Sequence, residues 1–314
     1  MLRLASSAGD PFASRERRRR LLIGALVGAL ALALLVAAAG LGPVADEIRA
    51  ARPGWIVVAV ALELASCLSF VVVFRGFFDR LARGPARALA WTSMAAGAAL
   101  PAGGVGGLAI AGSLMSVMGR PTAWIVRRSS AVFVLTSAMN VVTLVAAGLL
   151  ALGGAGGPGD PLRAGLPVLA GVAVIGLVAA LARRSAGELA AGAREAGAAL
   201  VRPTWRLAGA AGYLWFDIAA LWAVLTAVGA APPLAALVLG YLVGYLANAL
   251  PIPGGIGVLD AGLAGALTLY GVAAVDATAA VLVYHAIVFW IPAGGGLVAL
   301  AGARGHWPSL RRSL

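Results

Sequence analysis

The sequence predicts an all-α polytopic membrane protein. It would carry about six full transmembrane helices plus two re-entrant broken hairpins in inverted repeats, with N- and C-termini cytoplasmic. Three observations predict this. Of 314 residues, 61% are hydrophobic, and apolar runs of about twenty residues recur, the length that crosses a bilayer core. Two further apolar segments are interrupted by clustered proline and glycine. The arginines fall unevenly between the loops, which fixes how the chain is threaded.

The net charge is +12, and all 24 basic residues are arginine. They sit in short clusters between apolar runs. That placement fits an anionic cytoplasmic leaflet and argues against nucleic acid as a partner. Cys67 is the single cysteine, so neither a disulfide framework nor a thiolate metal site is expected.

Residues 1–20 read as a cytoplasmic basic tail ending in Arg17, Arg18, Arg19 and Arg20. The apolar stretch that follows is too long for a signal-peptide core and ends in Gly40 to Pro43, so it is expected to stay as the first span. Continuous spans are expected at 21–42, 55–74, 129–152, 167–182, 207–229 and 278–301. The interrupted segments are 88–118 and 234–272. Residues 21–301 form one transmembrane domain, with repeat units of about 55–152 and 207–301, a linker at 167–206 and a cytoplasmic tail at 302–314.

Arginine counting decides how the interrupted segments run. If each is a hairpin, residues 1–20, 75–87, 119–128, 183–206 and 302–314 share the cytoplasmic side and hold 21 arginines. Only Arg49, Arg52 and Arg163 then lie outside. Single crossings would leave 14 inside and 10 outside, against the positive-inside bias. Arm 88–100 is too short to span but long enough to reach mid-membrane.

The two breaks are alike: "ALPAGGVG" (99–106) and "ALPIPGGIG" (249–257) match with one inserted residue. Each lies between two spans, and the units start on opposite sides, the inverted-repeat pattern of many transporters. Freed backbone cannot face lipid, so the breaks must be buried or line a water-filled cavity. Glycine-rich turns at helix starts expose amides that suit a phosphate diester. Pro101, Gly103, Gly104, Gly106, Pro253, Gly254, Gly255 and Gly257 are therefore candidate substrate-binding positions. Asp260 follows the second turn and either joins that site or caps the returning helix.

Few other polar groups lie at membrane depth, and each is a functional candidate. Arg127 and Arg128 could grip a phosphate by a bidentate fork, or anchor the cytoplasmic face. His285 could add charge. Glu63 and Asp217 occupy loosely corresponding places in the leading spans. They could pair with arginine, hold His285, carry a coupling proton, or stay neutral and hydrogen-bonded to a neighbouring helix.

"PIPGGIGVLDAGLAGALTLYGV" (251–272) followed by "AAVLVYHAIVFWIPAGGG" (279–296) resembles the transmembrane domain of lysylphosphatidylglycerol synthase/flippase proteins. It is also similar to the stand-alone flippase-like integral membrane proteins of that superfamily. Pro253, Gly254, Gly255, Gly257, Val258, Asp260, Tyr284, Trp290 and Pro292 carry the likeness. Three positions depart from the family pattern. Asp260 replaces the usual Glu. His285 stands where the family usually has Arg, so charge there depends on pH. The neutral "GLAIAG" (107–112) replaces an acid and an arginine.

The resemblance implies a flippase or transporter that moves or binds a phospholipid or a lipid-linked phosphate headgroup. The alternative is a membrane scaffold, a partner subunit for a separately encoded lipid or glycosyl transferase. An intramembrane lipid-modifying enzyme is a weaker reading, because the only histidines are His285 and His306 and no metal-ligand spacing appears. The family's soluble aminoacyltransferase domain is not expected in this chain. No enzyme activity and no cofactor are expected. The expected location is a bacterial-type cell membrane, multi-pass, as a homo-oligomer or beside a transferase.

Overall fold

The computed structural model describes residues 37, 40–99, 103–154, 160–202, 204–246 and 258–303. Eleven helices run through them, and no strand occurs among the described residues. Helix α1, Leu41–Ala50, follows Gly40 at φ 86, a left-handed backbone that favours glycine. This is where the expected span 21–42 ends. Pro43 is tolerated because it lies in the first turn, where a backbone N–H has no helical partner.

Helix α2 spans Pro53–Phe77 and opens on proline at its first turn. Helices α3, Arg83–Ala99, and α4, Gly103–Val117, form the first interrupted segment. The first arm starts at 83 rather than 88, with Pro85 in its first turn, and is about 25 Å long. The two arms pack antiparallel, backbone against backbone. A Cβ on Gly107 would lie 2.1 Å from the Ser93 carbonyl oxygen, and one on Gly97 would lie 3.1 Å from that of Gly103. Gly103 itself has φ 47, so glycine is required to start α4 at this angle.

Helix α5 spans Thr122–Leu152, α6 Pro161–Arg184 and α7 Glu188–Leu200. The Asp160 carboxylate caps α6 by accepting from Leu162 N at 2.9 Å, which satisfies one orphan donor. Helix α8 spans Trp205–Ala227, α9 Leu234–Gly244, α10 Val258–Leu269 and α11 Ala274–Ala303. Helices α9 and α10 repeat the antiparallel arm packing. Gly244 abuts Leu263 and Gly240 abuts Leu267, with would-be Cβ contacts of 2.6 and 2.9 Å. Residues 100–102 and 247–257 lie outside the described residues.

Five helices are long and apolar enough to cross a membrane: α2, α5, α6, α8 and α11. They correspond to the expected spans from 55–74 onward; four are longer than their apolar runs, and α8 has the same length as 207–229, shifted by two residues. The expected span 21–42 falls almost wholly outside the described residues.

Helices α2 and α8 run antiparallel and in contact along their whole length. Gly76 meets Arg206, Gly209 meets Val73, Gly212 meets Ser69 and Trp55 meets Trp222 edge-on. Each hairpin then docks on the last helix of the other half: α3 on α11 and α9 on α5. Gly295 and Gly296 make the first docking possible, with the Trp91 ring and Ala95 lying where their side chains would be.

The described arginine clusters around Arg80, Arg87, Arg127, Arg128, Arg194 and Arg206 gather at one end of the bundle. Arg128 is near Asp79, Arg206 lies against Gly76, and Gly84, Met118 and Gly302 line one groove. Arg52 bonds the α8 terminus at the opposite end, and Arg163 bonds Leu269 there. The threading chosen by arginine counting thus has its geometric counterpart.

Candidate substrate cavity

A cavity of about 270 Å³ lies where the C-terminal end of α3 and the N-terminal end of α4 meet α2, α5, α8 and α11. Gly97, Ala98, Gly103 and Gly104 form its hairpin wall. The absence of side chains lets the α4 amides approach the space, and a helix N-terminus favours negative charge. Ser93, Thr136, Ser137 and Asn140 add polar groups from α3 and α5.

Two carboxylates line this cavity, Glu63 from α2 and Asp217 from α8. The antiparallel register, with Ser66 Oγ donating to the Tyr213 carbonyl at 2.8 Å and Trp55 on Trp222, brings them within about one helical turn in height. Both lie near the middle of their helices. Their surroundings differ. Asp217 accepts from the Tyr241 and Tyr284 hydroxyls at 2.5 Å each. Glu63 Oε1 accepts only the weak Cys67 thiol donor at 3.3 Å, while its Oε2 is buried with no hydrogen-bond partner.

His285 reaches the cavity from α11. Its Nδ1 lies 2.6 Å from Asp260 Oδ1, and Asp260 is buried behind it. The acidic partner fixes ring orientation and favours a proton on Nδ1. Asp260 itself is not among the residues lining the cavity.

The sequence profile of the lysylphosphatidylglycerol synthase TM region matches residues 21–296. The chain belongs to this family. The match takes in both hairpins, the cavity and all but the last turns of α11. No curated protein matches the chain. Membership in the lysylphosphatidylglycerol synthase TM family, with five membrane-length helices, makes this a multi-pass membrane protein related to lipid handling.

Within this family member, Glu63, Asp217, Gly103, Gly104 and His285 come together around one cavity. Gly106 is half-buried on α4 and does not line it. Arg127 and Arg128 are elsewhere. They converge on Glu195 of α7, which also meets Arg206 at 3.4 Å, and Arg128 lies 3.7 Å from Asp79. Pro101, Pro253, Gly254, Gly255 and Gly257 lie outside the described residues. No arginine lines the cavity among the described residues.

Sequence reasoning missed Tyr213, Tyr241 and Tyr245, all on the cavity wall. Tyr284 entered only through the family likeness. The available signal was the tyrosine hydroxyl itself, which needs a partner when it sits mid-span.

Proposed function

We propose that the protein is a lipid flippase or transporter of a cell membrane, and that the cavity holds the lipid headgroup midway across. The observation that carries this reading is the cavity: it holds two carboxylates and several hydroxyls at mid-helix height, and is walled by a broken hairpin and the two leading helices. The cross-docking of α3 on α11 and α9 on α5 supports an inverted repeat, the architecture that alternates access around a central site.

The lining also narrows the headgroup. Glu63 and Asp217 face the space, and arginine is absent from its described walls, so the favoured headgroup carries positive charge. Tyr213, Tyr245, Phe133 and Phe289 supply aromatic surface suited to a cation. The α4 amides at Gly103 and Gly104 suit the phosphate of the same lipid. A zwitterionic or aminoacylated phospholipid meets both demands. Towards the arginine-rich end, a groove of about 860 Å³ runs between α2, α3, α4 and α11, apolar apart from Arg87 and Thr92. Its chemistry suits acyl chains that follow the headgroup.

The test is scrambling of fluorescent anionic, zwitterionic and aminoacylated lipids in proteoliposomes. Gly104→Leu fills the cavity without touching backbone, since no atom lies within 4 Å of the would-be Cβ. Wild type should scramble the lipids bearing an amine fastest, and Gly104→Leu should lose that activity while remaining folded. Wild-type protein that scrambles nothing defeats the reading and leaves a scaffold for a separate transferase.

A further inference from the structure

We infer that Glu63 and Asp217 form a proton-binding dyad shared by the two leading helices, with Glu63 as the exchanging member. The coupling half of this inference rests on the transport reading above. The proton-binding half does not.

The argument starts from an asymmetry. Asp217 is held by two tyrosine hydroxyls, both donating to it, so its charge is delocalised into fixed bonds and it needs no further partner. Glu63 is 4% exposed, and its Oε2 has no partner at all. A buried ionised oxygen without a donor is costly. Glu63 must take a cation or a proton in this conformation. Two carboxyl groups in unlike surroundings divide into an exchanging and a fixed member.

A metal cation fits poorly. Hard cations need six or more oxygen ligands, and no group of three or more His, Cys, Asp or Glu side chains that could hold a metal occurs among the described residues. A proton needs one lone pair and nothing else.

The ionisable groups facing the dyad leave Glu63 as the exchanging site. Cys67 on α2 donates to it. Tyr213 on α8, Tyr241 on α9 and Tyr284 on α11 are hydroxyls, as is Tyr245 beyond α9. His285 on α11 is tied to Asp260 of α10. The lining residues that α3, α4 and α5 contribute carry no ionisable side chain. A proton arriving at Glu63 neutralises half of the cavity's carboxylate pair and weakens its hold on a cationic headgroup. Loss of that proton restores the hold. Headgroup and proton thereby compete for one site, and movement of either drives the other.

Labelling with dicyclohexylcarbodiimide, which attacks protonated carboxyls in apolar surroundings, tests the first half without any transport assay. Peptide mapping should find the adduct on Glu63 in mildly acidic buffer, falling about tenfold per pH unit once the carboxyl ionises. Glu63→Gln should abolish it, and Asp217→Asn should leave the adduct on Glu63. Absence of an adduct on Glu63, or a yield flat from acidic to alkaline buffer, overturns the dyad. The second half is read in proteoliposomes. An imposed pH gradient should speed wild-type transfer of amine-bearing lipid about tenfold and leave Glu63→Gln indifferent. If labelling succeeds while wild-type protein moves no lipid, the transport reading falls and the proton site stands. If transfer occurs but ignores the gradient, coupling is overturned.

Discussion

Single glycines in this protein decide whether helices can touch. Gly107 has the Ser93 carbonyl oxygen 2.1 Å from where a Cβ would sit, whereas Gly104, three residues earlier, has nothing within 4 Å. Gly107→Ala should therefore force the hairpin arms apart, costing about 1–3 kcal/mol. Gly104→Ala should cost a few tenths at most. Thermal unfolding in detergent separates the two, and equal melting temperatures would contradict the arm packing. The same scale governs Asp217. Tyr241→Phe and Tyr284→Phe each remove a donor from a carboxylate lining the cavity, an expected loss of about 1–3 kcal/mol per variant. The double variant should lose more than either, read from the same melts. These tyrosines were not singled out by their own chemistry in the sequence, because nothing local distinguishes a mid-span tyrosine that bonds an acid from one that packs against lipid. Their role depends on which helices become neighbours.

At the scale of elements, membrane-length helices were legible because apolar length alone defines them. Their faces were not. Every long helix is apolar all round, so no stripe marks which side meets a partner. The α2/α8 register, and with it the meeting of Glu63 and Asp217, had no one-dimensional trace beyond two acids in corresponding spans. Ser69 and Gly212 give a direct check. The would-be Gly212 Cβ lies 3.1 Å from Ser69 Cβ, slightly under the usual disulfide spacing. In a Cys67→Ala background, Ser69→Cys with Gly212→Cys should cross-link on oxidation, and peptide mapping without that bridge would refute the register. Arg127 and Arg128 teach a related lesson. Glu195 gathers them with Arg206, and the sequence could not weigh that competitor against a lipid phosphate. Glu195→Ala leaves three arginines facing one another, with Arg128 largely buried. It should free α7, read as faster proteolysis between residues 185 and 204.

For the whole molecule, the arginine distribution carried the most information. It favours hairpins over crossings, and the described arginine clusters gather at one end of the bundle. Sidedness follows from the same rule and can be measured. In a Cys67→Ala background, Asp46→Cys and Asp160→Cys should react with an impermeant maleimide outside intact cells, while Glu188→Cys and Arg120→Cys should react only after permeabilisation. Labelling of Arg120→Cys from outside would reverse the threading.

The central pair of helices has its two rims fastened differently from its middle. At one rim Arg52 donates its backbone N–H to the Ala227 carbonyl at 3.0 Å and its side chain to Thr226. At the other, Arg206 lies over the Phe77 ring at 4.6 Å and against Gly76. Between those clamps Gly209 and Gly212 bring the backbones close against Val73 and Ser69, and Phe70 packs on Tyr213. Such a pair behaves as an axle pinned at both bearings. On the proposed transport reading, opening towards either leaflet falls to the hairpins and outer helices swinging about it, and the carboxylates at its midpoint keep their depth while everything around them turns.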